Sequence, residues 1–386
     1  MSGPFNEDLS GRLETAGARA FRLLNGGDVR KAGGALESGA LVAGAPDTLD
    51  ARRISTALFN SMLTETTPIM GRDREQEALD IGVAMTKRAM SVLTRMKLDG
   101  PRTPLTISDA IALESVLMVR GRPSLRVQEE GIEPIESDRH PGAEMWRAVL
   151  TTCERKLLLT SASVGAVMVQ FVFSNLPPQV VGTAWVVGDG TRAITNRHVI
   201  FPPGGSALAR RQAGGGARMR SHINVWVDFA HNGPGKAPYL RQVIHVDAAT
   251  LDDDPIDAAV LQLETAGPAA LRLQPAKLDD AELIYVVGHP GKMMRVPHDV
   301  ASVFGNPDGE KRISFGEAMP ADPNTPHDVV HDGSTIGGFS GGAMGNPLSD
   351  DDYILGLHYL GGSTASGNRA LRAQHLLAHP LLAALV

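Results

Sequence analysis

Cysteine occurs once in 386 residues, at Cys153, so no intrachain disulfide can form. Secreted domains often depend on such bridges, and their lack favours a reducing compartment. Aromatic residues are scarce at 4%, which leaves the core to Val, Leu, Ile, Ala and Met. No run approaches the ~18 consecutive apolar residues of a membrane-crossing helix. The stretch MSGPFNEDLSGRLETAGARA has no basic segment followed by an apolar one, so no secretory signal is read from it. Excess basic charge is lacking as well: 37 Lys and Arg stand against 43 Asp and Glu, formally −6. Nothing in that balance attracts nucleic acid or an anionic membrane. Together these absences predict a soluble, cytoplasmic protein with no nucleic-acid or membrane partner.

What is present is the composition of an ordinary globular chain, with 42% apolar and 21% charged residues. That excludes wholesale disorder and collagen-like repetition. The length suggests about two or three domains. Residues 1–120 read as a helical bundle. Leu79, Val83, Met90 and Leu93 form one stripe of a helix from Arg74 to Met96, and Ile54, Leu58 and Met62 form another. Asn6 opens a third candidate that stops at Gly26-Gly27, and Ser108 caps a fourth reaching Val119. These stripes are the ordinary pattern of core packing, and none looks like a ligand box. Residues 121–160 read as a connecting segment, with GRPSLRV as a candidate strand and a helix from Glu144 to Thr160. Cys153, inside that helix, receives no role.

From about Ser163 the periodicity changes. VGAVMVQFVF, GTAWVVGD, RAITNRHVI, HINVWVDFA, RQVIHVDA, AAVLQLE, ELIYVVG and YILGLHYLGG are short β-branched runs bounded by Gly, Pro, Asp or Asn. Many such strands without intervening helices predict an antiparallel barrel or sandwich over residues 161–386. The tail LRAQHLLAHPLLAAL returns to helix. The Gly-rich stretch FPPGGSALARRQAGGGARMR is expected to be a mobile surface loop with Arg210, Arg211, Arg218 and Arg220 solvated.

Three spots in the β region carry chemistry. His198 follows the strand RAIT in TNRHVI, Asp257 precedes the strand AAVLQLE, and Ser340 sits among glycines in HDGSTIGGFSGGAM. A nucleophilic serine needs a base to take its proton, and the base needs a carboxylate to fix its tautomer. It also needs backbone N–H groups free to face the developing oxyanion, which glycines permit; Gly338 and Ser340 would present that pair. Each spot alone has a bland explanation, as a strand end, a turn residue or a flexible loop. Jointly those explanations require three coincidences in order.

The order His198, Asp257, Ser340 resembles that of trypsin-like (chymotrypsin-fold) serine peptidases. TNRHV is similar to their bacterial histidine motif, DAAVL to the aspartate motif and GFSGG to the serine motif. The likeness is nearest to the V8-type, glutamyl endopeptidase branch, through Ser334-Thr335-Ile336-Gly337-Gly338-Phe339-Ser340-Gly341 and the later Gly356-Leu357-His358-Tyr359-Leu360-Gly361-Gly362. It covers roughly residues 160–386. It implies an antiparallel double β-barrel, hydrolysis of protein substrates through an acyl-enzyme, and no cofactor or metal. It also implies that Thr335 and His358 bind the carboxylate of a P1 glutamate. Ser334 stands where trypsin keeps its basic-selecting Asp, so Lys or Arg at P1 would enter without a counter-charge. Phe339 replaces the Asp that pairs with a freshly cut N-terminus in trypsin-type zymogens, so that activation switch cannot operate. Control is expected instead through residues 1–120, as a regulatory or recruitment domain binding an activating partner or driving assembly. Intracellular bacterial peptidases with appended domains extend this expectation to signalling or anti-phage defence.

Other readings compete. Gly338-Phe339-Ser340-Gly341-Gly342 also fits the G-x-S-x-G nucleophile elbow, but GGAMGNPLSDDD is a poor helix start and too little chain follows. His327 and His331 in HDVVH, and His375 with His379, lack a third ligand and read as structural or exposed rather than metal-binding. A non-catalytic interaction protein using the peptidase fold as a binding module is the alternative from another class. A weaker one is an assembly adaptor limited to self-cleavage.

Overall fold

The computed structural model describes residues 122–383, apart from 129–130, 137–142, 174–176, 203–205, 214, 231–242, 252–255, 276–277, 280–281, 292–302, 305–306, 308, 322, 324, 350 and 362–366, plus a few positions between 87 and 109. The helical bundle expected over residues 1–120 lies outside the described residues except at those few positions. There Arg88 and Arg95 both reach Asp109, at 2.7 and 3.2 Å.

In chain order the elements begin with β1 (Ser124–Gln128), β2 (Gly131–Ile132) and helix α1 (Ala143–Ala162). Next come β3 (Val164–Phe171), β4 (Gln179–Val187), β5 (Arg192–Thr195), the single turn α2 (Arg197–Ile200), β6 (Ala209–Arg211), β7 (Ala217–Met219), β8 (Ile223–Asp228), β9 (Val243–Leu251) and β10 (Ala259–Leu263). The remainder are β11 (Arg272–Leu273), β12 (Leu283–Gly288), β13 (Arg312–Glu317), β14 (Asp328–His331), β15 (Ala343–Gly345), β16 (Tyr353–Ile354), β17 (Gly356–Leu360), β18 (Asn368–Arg372), α3 (Ala373–Leu377) and α4 (Pro380–Ala383).

The strands form two eight-stranded antiparallel sheets and one small parallel pair, β11 with β16. The first runs β10-β5-β4-β3-β8-β9-β7-β6, and pairing of β9 with β10 closes it into a barrel. The second runs β14-β18-β17-β15-β12-β13-β1-β2, and a bridge between Ala318 and His331 joins β14 to the end of β13. The β-branched runs supply the strands because such side chains pack well on a pleated, half-buried surface. Val167, Val186, Ala193, Val227 and Leu261 fill the first barrel, and Ile284, Val286, Phe304, Phe339 and Met344 fill the second.

Helix α1 lies where sheets and helix share one core. Met145, Trp146, Val149, Cys153 and Leu157 make its buried stripe, against Trp185 and Val187 of β4 and Tyr285 and Val287 of β12. Burial pushes the Cys153 thiol up to about 12, so it stays protonated and inert. Residues 121–160, assigned from sequence to a connection, thus supply two strands of the second sheet as well as this helix. β1 pairs with β13 through Ser124 opposite Ser314 and Leu125 opposite Ile313.

The Gly-rich stretch after α2 corrects the sequence expectation. It folds into the β6–β7 hairpin, with Arg210 opposite Arg218. Leu208, Ala209 and Ala217 enter the first barrel's core while the four arginines stay at or near the surface. Small residues at inward positions suffice here because β7 also pairs with β9. The tail opens as strand β18 before its two short helices.

Candidate active site

β5 carries the chain to Thr195, whose hydroxyl donates to the Thr183 carbonyl on β4 at 2.6 Å. Asn196 is extended and starts α2, anchored by buried Val199 and Ile200. Its side-chain amide donates to the Asp257 carbonyl at 2.8 Å. Asp257 arrives from the other side because β10 pairs with β5, Ala259 opposite Thr195. Buried Ile256 and Ala258 flank it.

Both Asp257 carboxylate oxygens are then used by one residue. Oδ2 lies 2.6 Å from His198 Nδ1, and Oδ1 accepts the His198 backbone N–H at 3.0 Å. Burial alone would raise the Asp257 carboxyl, but hydrogen bonds and charge from His198 outweigh it and hold the group below its usual range. An ionised carboxylate only accepts, so Nδ1 carries the ring proton and Nε2 is left with its lone pair.

Ser340 sits on a turn pressed against β4. Thr183 donates its N–H to the Ser340 carbonyl and its hydroxyl to the Gly338 carbonyl, both at 2.8 Å. The same hydroxyl accepts the His289 N–H at 3.0 Å. Gly338 and Gly341 have φ of 100° and 90°, where a side chain is strained. A Cβ at Gly341 would strike the Thr183 carbonyl and lie 2.5 Å from Thr195 Oγ1. The turn therefore stands one strand away from the element that delivers His198. Phe339 donates its N–H to Ile336, Gly341 to His358 and Gly342 to Phe339, at 3.1, 2.8 and 2.8 Å. Those of Gly338 and Ser340 have no partner among the described residues. Strand β15, not a helix, follows Ser340. The Phe339 ring packs edge-on against Phe304, centroids 6.0 Å apart, inside the second barrel.

The predicted pocket residues separate into different roles. The Ser334 hydroxyl turns away to donate to the Arg122 carbonyl at 2.9 Å. Thr335 Oγ1 is buried with no hydrogen-bond partner among the described residues. His358, on β17, has Nδ1 3.2 Å from His331 Nε2, and His331 Nδ1 accepts the Gly333 N–H at 3.2 Å. Burial pushes His331 down to about 4 and His358 well below its ordinary value, the latter also through the neighbouring histidines. Both rings are neutral near pH 7. The Gly333 donor then fixes the chain of tautomers: His331 carries its proton on Nε2 and donates to His358, whose own proton sits on Nε2. Sequence reasoning gave His358 a P1 carboxylate to bind, without fixing its charge, and set His331 aside as structural or exposed. The structure leaves His358 uncharged and places His331, fully buried, directly behind it.

Sequence reasoning also passed over Thr183, Asn196, Arg122 and Asp332, since a threonine or asparagine beside a strand carries no signal of its partner. His327 stacks on His375 with centroids 3.9 Å apart, and no group of three or more metal-ligating side chains occurs among the described residues. No helix among them is long and apolar enough to cross a membrane.

Residues 182–351 match the family model of the trypsin-like peptidase domain. A probable serine protease of Lysobacter enzymogenes is 24% identical over 308 residues, covering 72% of this chain and 76% of that protein. Among solved structures, Deg5 aligns with a TM-score of 0.38 at 16% identity, over 59% of this chain and 91% of its own. The HtrA-type protease AlgW with decapeptide aligns at 0.39 and 15% identity, over 60% and 66%. The chain is accordingly a serine endopeptidase of trypsin-like type, a hydrolase of peptide bonds.

Proposed function

We propose that His198, Asp257 and Ser340 form the catalytic triad, with the Gly338 and Ser340 amides as oxyanion hole. The observation that carries this is the double contact of Asp257 with His198, at 2.6 and 3.0 Å, beside a serine turn with two unspent N–H groups. His198 Nε2 takes the Ser340 hydroxyl proton as Oγ attacks the scissile carbonyl. The two amides receive the charge that forms on the carbonyl oxygen. His198 then protonates the departing amine, and water repeats the sequence to release the acyl group.

The pocket reading is of the V8 type, with a P1 side chain ending in an acceptor oxygen. Thr335 Oγ–H and His358 Nε2–H are its two donors. With both histidines neutral, recognition of a P1 glutamate rests on hydrogen bonds rather than an ion pair, and glutamine is the next best fit. Lys and Arg are disfavoured because the nearby Asp332 is already engaged by Arg122 and by the Glu317 N–H. A cytoplasmic site of action, with residues 1–120 as a regulatory or recruitment region, belongs to the same proposal. Its support is a fold whose only cysteine is buried and reduced.

A fluorophosphonate probe should label the wild type at Ser340. A peptide panel varying P1 among Glu, Gln, Ala and Lys should rank Glu first and Lys last by kcat/KM. Lack of labelling sinks the triad and favours a non-catalytic binding module. A preference for Lys, Arg or Leu sinks the pocket alone.

A further inference from the structure

A second set of charges lies behind the pocket wall. Arg122 is 1% exposed, and its Nη2 contacts Asp332 Oδ2 at 2.5 Å and Glu317 Oε2 at 3.3 Å. Its guanidinium lies 5.6 Å from the centroid of the buried Trp146 ring of α1. The other Asp332 oxygen, Oδ1, accepts the Glu317 N–H at 2.7 Å. The next residue, Gly333, supplies the N–H that sets the His331 tautomer, and its carbonyl accepts the Asn368 side-chain amide at 2.5 Å. The residue after that, Ser334, returns to Arg122 by donating to its carbonyl. One arginine therefore holds the chain from Asp332 to Ser334 through both its side chain and its backbone.

We propose that Arg122 is a positioning residue for the P1 pocket, so that the segment upstream of the matched residues 182–351 completes the specificity site. The inference rests on the pocket reading above. The physical reason is the charge balance of a site closed to water. Burial alone would lower the Arg122 guanidinium from its ordinary value, yet Asp332 and Glu317 outweigh it and raise it instead. Remove the guanidinium and Asp332 and Glu317 lose the buried cation that faces them both, which the structure relieves by moving or protonating Asp332. Asp332 adjoins Gly333, so its displacement reaches His331, His358 and Thr335. Its effect on the triad is smaller: the serine turn does meet His358 through the Gly341 N–H, but Ser340 and His198 are also held independently through Thr183, Thr195 and Asn196. Lysine cannot substitute fully: a compact ammonium is more strongly hydrated than a guanidinium and does not reproduce its position over the Trp146 ring.

The experiment compares wild type with Arg122→Met, Arg122→Lys and the double variant Arg122→Met/Asp332→Asn, which also removes the Asp332 charge. Two readouts are taken on each folded protein. One is labelling by a small fluorophosphonate without a P1 side chain, which reports the triad and oxyanion hole. The other is the ratio of kcat/KM for the P1 residue the wild type prefers, whichever that is, over alanine. Arg122→Met should lose about 10²-fold in this ratio, the scale expected for misplacement of a positioning group by about an ångström. The loss should fall on the preferred peptide, with labelling little changed. Arg122→Lys should recover part of the ratio. Should Arg122→Met fail to fold, the double variant carries the same expectation. An unchanged ratio in a folded variant overturns the proposal, and so does a parallel loss of labelling and cleavage, which would mark Arg122 as merely structural. A wild type that resists the probe overturns the triad reading instead.

Discussion

At the scale of single residues, the candidate chemistry depends on groups whose protonation is set by who touches them. Ser340→Ala removes one oxygen and leaves the turn's glycines intact. It should lower kcat by on the order of 10⁶-fold without shifting the unfolding midpoint. Asp257→Asn keeps the shape but offers an N–H where a carboxylate oxygen now accepts from His198. The wrong tautomer then dominates, and a loss of about 10⁴-fold in kcat is expected. Near-wild-type turnover by either variant would refute the triad. His331 offers a pH test away from the chemistry. Its folded value, about 4, lies below the ordinary 6.5. The unfolded chain therefore binds more protons between those values, and stability falls as pH drops through that window. Urea unfolding of wild type and His331→Gln between pH 4 and 7 should show a steeper acid slope in the wild type, the remainder in the variant coming from groups such as His358. Equal slopes would mean that His331 is not held neutral.

At the scale of elements, the serine turn shows how a short Gly-rich sequence becomes rigid. Two of its residues, Gly338 and Ser340, are fixed by β4 through Thr183, and its positive-φ glycines make that approach possible. Gly341→Ala would place a methyl against the Thr183 carbonyl at a φ of 90°. It should cost about 1–3 kcal/mol in strain or more and abolish fluorophosphonate labelling; normal labelling would show that the turn is softer than its contacts imply. The β6–β7 hairpin carries a related lesson. Its glycines hid a packed element because pairing with β9, not side-chain bulk, stabilises it. Strand β15 was equally hidden, since Ala343–Gly345 has no periodicity to detect. The longer β-branched runs were legible because alternation over several residues reports a half-buried strand without knowledge of its neighbour.

At the scale of the whole molecule, the two barrels and α1 are tied by one buried lysine. Lys311, at the start of β13, donates to the Ser161 carbonyl at the end of α1 and to the Phe229 carbonyl beyond β8, at 2.6 and 2.7 Å. Burial pushes its ammonium down to about 7, with Asp228 opposing the shift. The folded protein thus binds fewer protons than the unfolded chain from about pH 7 up to the ordinary 10.5, and stability rises with pH across that range. One such group contributes at most about 1.4 kcal/mol per pH unit. Denaturant unfolding between pH 6.5 and 9 should show this rise in wild type and its loss in Lys311→Met. A variant with the wild-type slope would assign the rise to other groups.

The sequence by itself determined the longer β-branched strands, where α1 lies, and the three motifs in order, because each is written in neighbours a few positions apart. It also excluded an intrachain disulfide, through a single cysteine. Tertiary structure alone decided what those residues meet. Asp257 reaches His198 because β10 pairs with β5, and the Ser340 turn lies against β4, the neighbour of β5, because Thr183 holds it. His358 is a neutral donor rather than a cation because His331 and Gly333 stand behind it. Arg122, 210 positions before Asp332, supports the pocket wall only once β1 has joined β13. Protonation state, desolvation and long-range pairing depend on which groups exclude water from one another, and that is a property of the folded chain rather than of any local stretch.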